Sequence, residues 1–279
     1  MPSLKSVVPS FAHRLMAWPR PLFRSALDLL YPPRCAACVV RLPSPAAADF
    51  CPACEAILEP VAASACQICS EPFPGNIPYG FTCPNCADQT FAFDCAISSW
   101  HSSGPLREAI HRFKYGRHLH LRLPLARKLF DTLSDPRLTQ PGPPAHHMEE
   151  PDAPPAESPE TIPDWTLVPV PLHPRRLRER RFNQSAELAR TLSKLTGLPC
   201  HDLLRRTRYT TAQAALSRKE RLKNLAGAFL PVARKGAPIP SHILLIDDVF
   251  TTGSTAHECA TALKKAGAQR IIVLTVARG

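Results

Sequence analysis

Asp247 and Asp248 stand side by side and are followed by Thr251, Thr252, Gly253, Ser254 and Thr255, an acid pair beside a hydroxyl-rich turn. Carboxylates of this kind accept hydrogen bonds from sugar hydroxyls or ligate a cation. The hydroxyls, with the backbone N–H groups of a turn that opens onto a helix, hold an anion. Gly253 supplies the sharp turn. The ligand implied carries a phosphate at one end and hydroxyls or a metal next to it. A second chemistry lies in the cysteines. Cys35/Cys38, Cys51/Cys54, Cys66/Cys69 and Cys83/Cys86 form four C-x-x-C pairs, with 12 residues between the first two pairs and 13 between the last two. Two thiolates two residues apart grip one side of a tetrahedral zinc, and a second such turn completes it. Four protein thiolates leave no open position, so this zinc would be structural. Disulfides are the competing reading, and a chain without an export signal argues against them. The spacing leaves open whether the pairs combine sequentially or in a cross-braced order. Cys95, Cys200 and Cys259 lack partner spacing, and Cys259 shares a helical face with Ala256, Leu263 and Ala266, which reads as core.

These groups need a scaffold. The acids follow Ile243–Ile246, apolar on both faces as a central strand of a parallel sheet should be, and the carboxyl end of such a strand is where open α/β sheets bind ligands. From Trp165 onward the pattern runs strand ("TLVPV"), basic turn, helix ("NQSAELARTLSKLTG"), basic loop over 204–224, strand ("HILLID"), turn, helix ending at Gly267, strand ("RIIVLTVA"). Alternation of this kind predicts an α/β fold with a parallel sheet and crossover helices. Residues 91–133 read as a strand followed by helical segments. Residues 31–90 hold eight of the eleven cysteines and little periodic hydrophobicity, so they read as a small module held by metal. Residues 1–30 form an N-terminal extension with at most one short helix, interrupted by Pro19 and Pro21. Residues 134–164 contain nine prolines and few large apolar side chains, the composition of a disordered insertion inside a 91–279 domain.

The net charge of +11 is not spread evenly: His173 to Lys235 carries 16 Lys/Arg against 4 Asp/Glu. Such a field attracts phosphates, whether of a small molecule or of nucleic acid. No apolar run reaches the length of a membrane span and the N-terminus lacks a secretory core, so a cytoplasmic protein is expected. A nucleotide hydrolase built on a phosphate-binding glycine loop is excluded, because no glycine in the chain is followed by lysine.

The stretch "ILLIDDVFTTGST" resembles the phosphoribosyl diphosphate (PRPP) motif of type I phosphoribosyltransferases. The segments "LLYPPRCAAC", "CPAC", "HRFKYGRH", "VPVPLHPRRLRERRFNQS" and "TTAQAALSRKERLKNLAGAF" occur in the order and wording of the ComF family, which is linked to DNA uptake in competent bacteria. The resemblance runs from about residue 27 to the end, apart from the Pro-rich insertion. It implies a type I phosphoribosyltransferase fold preceded by a double zinc ribbon, binding PRPP with Mg and releasing diphosphate. In that reading Asp247 and Asp248 meet the ribose hydroxyls, and Thr251, Thr252, Gly253, Ser254 and Thr255 hold the 5′-phosphate. Leu172, His173, Arg175 and Arg176 form the pyrophosphate loop. Residues 205–224, with Arg208, Gln213, Arg218 and Arg221, form a hood, and Lys114, Tyr115 and Gly116 lie on the acceptor side. Two other classes fit the same features: a single-stranded-DNA-handling accessory that keeps the fold as a scaffold, and a zinc-dependent adaptor for competence or DNA-processing proteins.

The cysteine spacing makes a direct prediction: purified protein carries about two zinc ions per chain. Metal analysis that returns none, with the eight cysteines oxidised, refutes it.

Overall fold

The computed structural model describes residues 32–43, 49–61, 64–73, 75, 81–139, 164–209, 225–232 and 238–279. The N-terminal extension and residues 140–163 of the Pro-rich segment lie outside them, as do Gln213, Arg218 and Arg221 of the hood. In chain order the elements are α1 (Pro52–Glu55), α2 (Pro84–Ala87), β1 (Cys95–Ser98), α3 (Gly104–Tyr115), α4 (Arg122–Phe130), β2 (Thr166–Pro169), α5 (Pro174–Arg180), α6 (Gln184–Thr196), β3 (Leu204–Arg206), β4 (Phe229–Pro231), β5 (His242–Phe250), α7 (Ser254–Lys265) and β6 (Arg270–Arg278).

Four strands form a parallel sheet in the order β1-β6-β5-β2, and β3 and β4 make a separate antiparallel pair. The chain is thus α/β with a parallel sheet, as its alternation predicts. Two connections leave neighbouring strands in opposite directions. From β5 the chain crosses through α7 to β6, while from β2 it passes through α5 and α6 to Cys200, which bridges Leu167 in parallel on the outer side of β2. Such a reversal opens a crevice outside the carboxyl ends of the two strands. The acid pair of β5 and the basic segment after β2 therefore face one crevice.

Local signals fix the helices around it. Asn183 caps α6 by accepting a hydrogen bond from the Ser185 N–H (3.2 Å), and Gly197, at φ 80°, ends it. In α3, Leu106, Ala109, Ile110 and Phe113 are all buried, the i, i+3, i+4, i+7 stripe of a helix lying on a sheet. The segment after β2 is more regular than a basic turn: His173 accepts from the Arg175 N–H (3.2 Å), Pro174 starts the helix, and Arg175 and Arg176 fall in the first turn of α5. The central strand likewise continues past the acids to Phe250, because Asp247, Val249 and Phe250 still find register partners on β6. Part of the Pro-rich segment is packed as well. Leu138 is buried, and Arg137 is held by Asp135 and donates to the Gln67 carbonyl (2.8 Å) and to Ser70 Oγ (3.0 Å).

The two cysteine groups do not sit apart from this sheet. Cys35, Cys51 and Cys54 share one core with Leu244, Ile246, Ile272 and Leu274, and Cys66, Cys69, Cys83 and Cys86 share the core of the opposite face with Ile243, Leu245, Ile271 and Val273. Strand alternation at the edge does the same: Cys95 and Ile97 of β1 join the first core and Ala96 the second. Ala96 also donates its N–H to the Ile68 carbonyl (2.7 Å) and accepts from Ser70 Oγ (2.8 Å). On the other face Arg112 of α3 donates to the carbonyls of Ala36 (2.8 Å) and Ala37 (3.2 Å). Edge strand β1 is clasped from both sides by segments whose own shape depends on their thiolates.

Chelating the metal should therefore loosen the sheet edge as well as the cysteine loops. Hydrogen exchange is expected to show faster amide exchange over Cys95–Ser98 on zinc removal. Unchanged protection there would separate the cysteine groups energetically from the sheet.

Candidate functional site

Both cysteine groups have the geometry of a zinc site. The sulfurs of Cys35, Cys38, Cys51 and Cys54 lie within 4.8 Å of one another, and so do those of Cys66, Cys69, Cys83 and Cys86. The pairs therefore combine sequentially, first with second and third with fourth. Cys38 and Cys51 Sγ are 3.6 Å apart, as are Cys69 and Cys83 Sγ, close to the ~3.8 Å edge of a tetrahedron with ~2.3 Å zinc–sulfur bonds. Each group adds a backbone N–H pointed at sulfur, Cys51 to Cys35 Sγ and Cys83 to Cys66 Sγ, both at 3.3 Å. Such bonds orient thiolate ligands. Val39 and Ser70, the residues after the first C-x-x-C of each group, take left-handed φ values of 67° and 54°. A β-branched residue is rarely found there, and closing the knuckle over the metal requires it. The donor set fits zinc, held by these eight cysteines in a structural role.

At the carboxyl end of β5 the two acids have different partners. Asp248 is buried and forms an ion pair with Lys114 of α3, Nζ to Oδ1 at 2.7 Å, with 19% of the lysine and 10% of the aspartate side chain exposed. Asp247 Oδ1 accepts from Ser185 Oγ (2.8 Å) and from the Asp248 N–H (2.9 Å). Although a part of Asp247 opens to solvent, burial and the neighbouring Asp248 charge push its carboxyl up to about 6, against smaller downward pulls from Lys114 and Ser185. Burial acts to lower the Lys114 ammonium, but the charges of Asp248 and Asp247 outweigh it and hold it above the ordinary lysine range. The resemblance implies an acceptor-side role for Lys114; the structure places it on the acid pair itself. Tyr115, next to it, is exposed beneath the Arg180 guanidinium (5.0 Å), and Gly116 ends α3.

A magnesium ion bound directly to these acids does not fit. A dication coordinated at Asp248 would lie roughly 4–5 Å from the Lys114 ammonium, a repulsion on the order of 7 kcal/mol at an effective dielectric of 20. Magnesium also demands near-octahedral carboxylate and water ligands, whereas Asp247 Oδ1 is already committed to two donors.

The turn beyond the acids has the expected shape. Gly253 is left-handed, φ 76°, and caps α7; a Cβ there would meet the Phe250 ring at 2.8 Å and Phe91 at 3.3 Å. Thr252 Oγ1 and Ser254 Oγ lie 3.0 Å apart, and Thr251 to Thr255 line a small recess of about 50 Å³. Phe250 lines the recess, and Phe93 meets its ring edge-on (5.9 Å) while stacking on Phe91 (4.7 Å). From outside, Arg278 donates to the Phe250 carbonyl (3.1 Å) and pairs with Glu71, the residue after the Ser70 knuckle. The second cysteine group thus reaches the segment just before the Thr251–Thr255 turn through two side chains.

Across the crevice, Arg175 lies over the Tyr209 ring (4.6 Å) and pairs with Glu179 (3.4 Å), and His173 packs against the same tyrosine (5.3 Å). Leu172 lines a groove of about 480 Å³ with Pro174, Leu177, Arg181 and Phe182. Arg206 of β3 lies over the Phe229 ring (5.2 Å), and burial, with the nearby Arg176 charge, pushes it below the usual arginine range. Arg208 is exposed just beyond β3. Ser185, Arg206 and Tyr209 join the site without having been picked out from the sequence. Ser185 closes the quoted "RRFNQS" segment, and its place two residues after a capping Asn was the available signal.

Comparison with known proteins agrees with the paired cysteine groups. Residues 26–90 match the double zinc ribbon domain family. The chain is 32% identical over 219 residues to competence protein F of Haemophilus influenzae, covering 76% of this chain and 87% of that protein. It is 31% identical over 202 residues to the DNA utilization protein YhgH of Escherichia coli, covering 70% and 77%. To competence protein ComFC of Streptococcus pneumoniae it is 35% identical over 116 residues, covering 41% and 49%.

The raised Asp247 carboxyl has a stability consequence. Its folded pKa lies above the unfolded 3.8, so the native state binds the proton more tightly and stability falls as pH rises from about 4 to 6. Asp247→Asn keeps the acceptor for Ser185 and removes the penalty. The variant is expected to gain about 1–2 kcal/mol near pH 7.5, a gain that shrinks toward zero near pH 4, measured by denaturant unfolding at both pH values.

Proposed function

The chain belongs to the ComF family, and from that membership and the form of its crevice we propose that it binds PRPP and transfers the phosphoribosyl group, in the service of DNA utilisation. One observation carries the reading: acid pair, anion-binding turn and arginine-bearing segment all open onto the crevice between β2 and β5, where the connections reverse. The turn from Thr251 to Thr255 takes the 5′-phosphate on backbone N–H groups and hydroxyls. Asp247 and Asp248 accept from the ribose hydroxyls. Arg175 and Arg176 face the diphosphate, and Arg206 adds a third guanidinium near it. In the reaction the bond from the anomeric carbon to the diphosphate oxygen breaks with its electron pair leaving on diphosphate, and a nucleophile bonds to that carbon. The protein's contribution is position and charge: the arginines stabilise the departing diphosphate while the acids and the turn fix the sugar. The magnesium expected with PRPP travels on the diphosphate as part of the substrate. The resemblance assigns residues 205–224 to a hood that keeps water from the diphosphate, and residues 210–224 of it lie outside the described residues.

A second reading has its own support. Arg175 over Tyr209 and Arg180 over Tyr115 set exposed aromatic rings among the arginines of α5, and basic grooves with aromatic platforms suit single-stranded nucleic acid. Salt-dependent anisotropy with a labelled single strand tests it beside PRPP.

Calorimetric titration of zinc-replete protein with PRPP and magnesium decides the primary reading. Asp247→Asn is expected to weaken PRPP by about tenfold, ~1.4 kcal/mol, although removing a negative charge beside an anion would by electrostatics alone tighten it. Gly253→Val should abolish binding, since its side chain enters the Phe250 ring. Equal or tighter binding by the Asn variant removes the acids from the sugar site and gives the lead to the nucleic-acid reading.

A further inference from the structure

Resting on the phosphoribosyl reading of the crevice, we propose that Lys114 is the built-in cation of the sugar site, so that the ribose 5-phosphate half of the ligand is recognised without a divalent metal. The acid pair sits where a metal-assisted sugar site would place its cation, and that position is filled by the chain. Lys114 Nζ lies 2.7 Å from Asp248 Oδ1, inside the motif and not at a distant surface. The lysine is carried on a fixed support. Phe113 before it is fully buried against Phe182 (5.1 Å), Arg112 is tied to Ala36 and Ala37, and Gln184 of α6 reaches the Lys114 carbonyl (3.5 Å). Elements of the first core, α3, α6 and the first cysteine loop, thereby fix the backbone that carries the lysine.

The division of acceptors follows. One oxygen of each acid is committed, Asp248 Oδ1 to Lys114 and Asp247 Oδ1 to Ser185 and the Asp248 N–H. Among the described residues the second oxygen of each has no hydrogen-bond partner, which leaves two acceptors for two vicinal hydroxyls. Lys114 offsets the Asp248 charge from 2.7 Å as the sugar displaces water, the service a bound metal would otherwise perform. A purely structural ion pair at this position would make no difference to the metal dependence of binding, so the two accounts separate by experiment.

The probe is ribose 5-phosphate, which lacks the diphosphate that could bring magnesium with it. Zinc-loaded full-length protein, exchanged into divalent-free buffer without chelator, is titrated with and without magnesium. The parent is expected to bind equally in both within about twofold. Lys114→Met should lose at least about tenfold without magnesium and regain much of it when magnesium is added. The same variant should acquire a manganese site, visible by electron paramagnetic resonance, that the parent lacks. Lys114→Arg, which keeps the charge, should behave as the parent does. A parent that needs magnesium for ribose 5-phosphate overturns the inference and leaves the phosphoribosyl reading standing; a parent that binds neither ribose 5-phosphate nor PRPP under any condition overturns both. Should Lys114→Met not fold, manganese binding by the parent at the acid pair, displaced by ribose 5-phosphate, is enough to overturn the proposal.

Discussion

A parallel sheet must be covered on both faces, and at the β1 edge this protein does so with loops that have no regular structure of sufficient length to hold themselves. Four thiolates on each face take over that task. Because β1, Arg112 and the turn behind Arg278 all lean on those loops, the geometry of the crevice depends on two metal cages some distance along the chain from any residue that meets a ligand. A four-residue helix such as α1 or α2 would not persist alone in water; here each is preceded by one cysteine of its pair and ends one residue past the other.

The site works against the stability of the fold around it. Two adjacent acids are gathered near the end of a strand, one partly open and one buried, and among the described residues one lysine pairs with them. Charge of this kind is costly to bury and is tolerated where a ligand needs it. The turn beyond is strained in a complementary manner: its left-handed glycine is pressed onto an aromatic floor that leaves no room for any side chain. Part of the chain's cationic excess, the arginines of α5 and β3, lies on the opposite wall, so the crevice has one acidic and one basic side.

Much of this was legible in the residues. The apolar run Ile243–Ile246 announced the central strand, which runs past the acid pair to Phe250, and the doubled C-x-x-C spacing announced two four-sulfur sites. What stayed hidden depends on long-range geometry. Sequence spacing could not choose sequential over cross-braced cages, because both satisfy the same local turns. It could not show that the cages belong to opposite cores, since that follows from which face of β1 each residue takes. Lys114 lies 134 positions before Asp248, and no local pattern joins them. Arg175 and Arg176 looked like a loop because their charge masks the helix start that Pro174 and His173 make.

The strand order carries one more consequence, for how the chain reaches this state. β6, which follows the other described strands in chain order, lies between β1 and β5. Until it is made, the earliest strand has no neighbour to pair with and the two halves of the sheet cannot join. The cysteine cages, complete by Cys86, can close on metal long before that. During synthesis the metal-bound loops would wait as a preformed clasp with its slot empty, and the slow, non-local step is the insertion of β6 into it. Interrupting the chain shortly before Arg270 would leave two structured pieces with exposed apolar edges, the arrangement most in need of a chaperone.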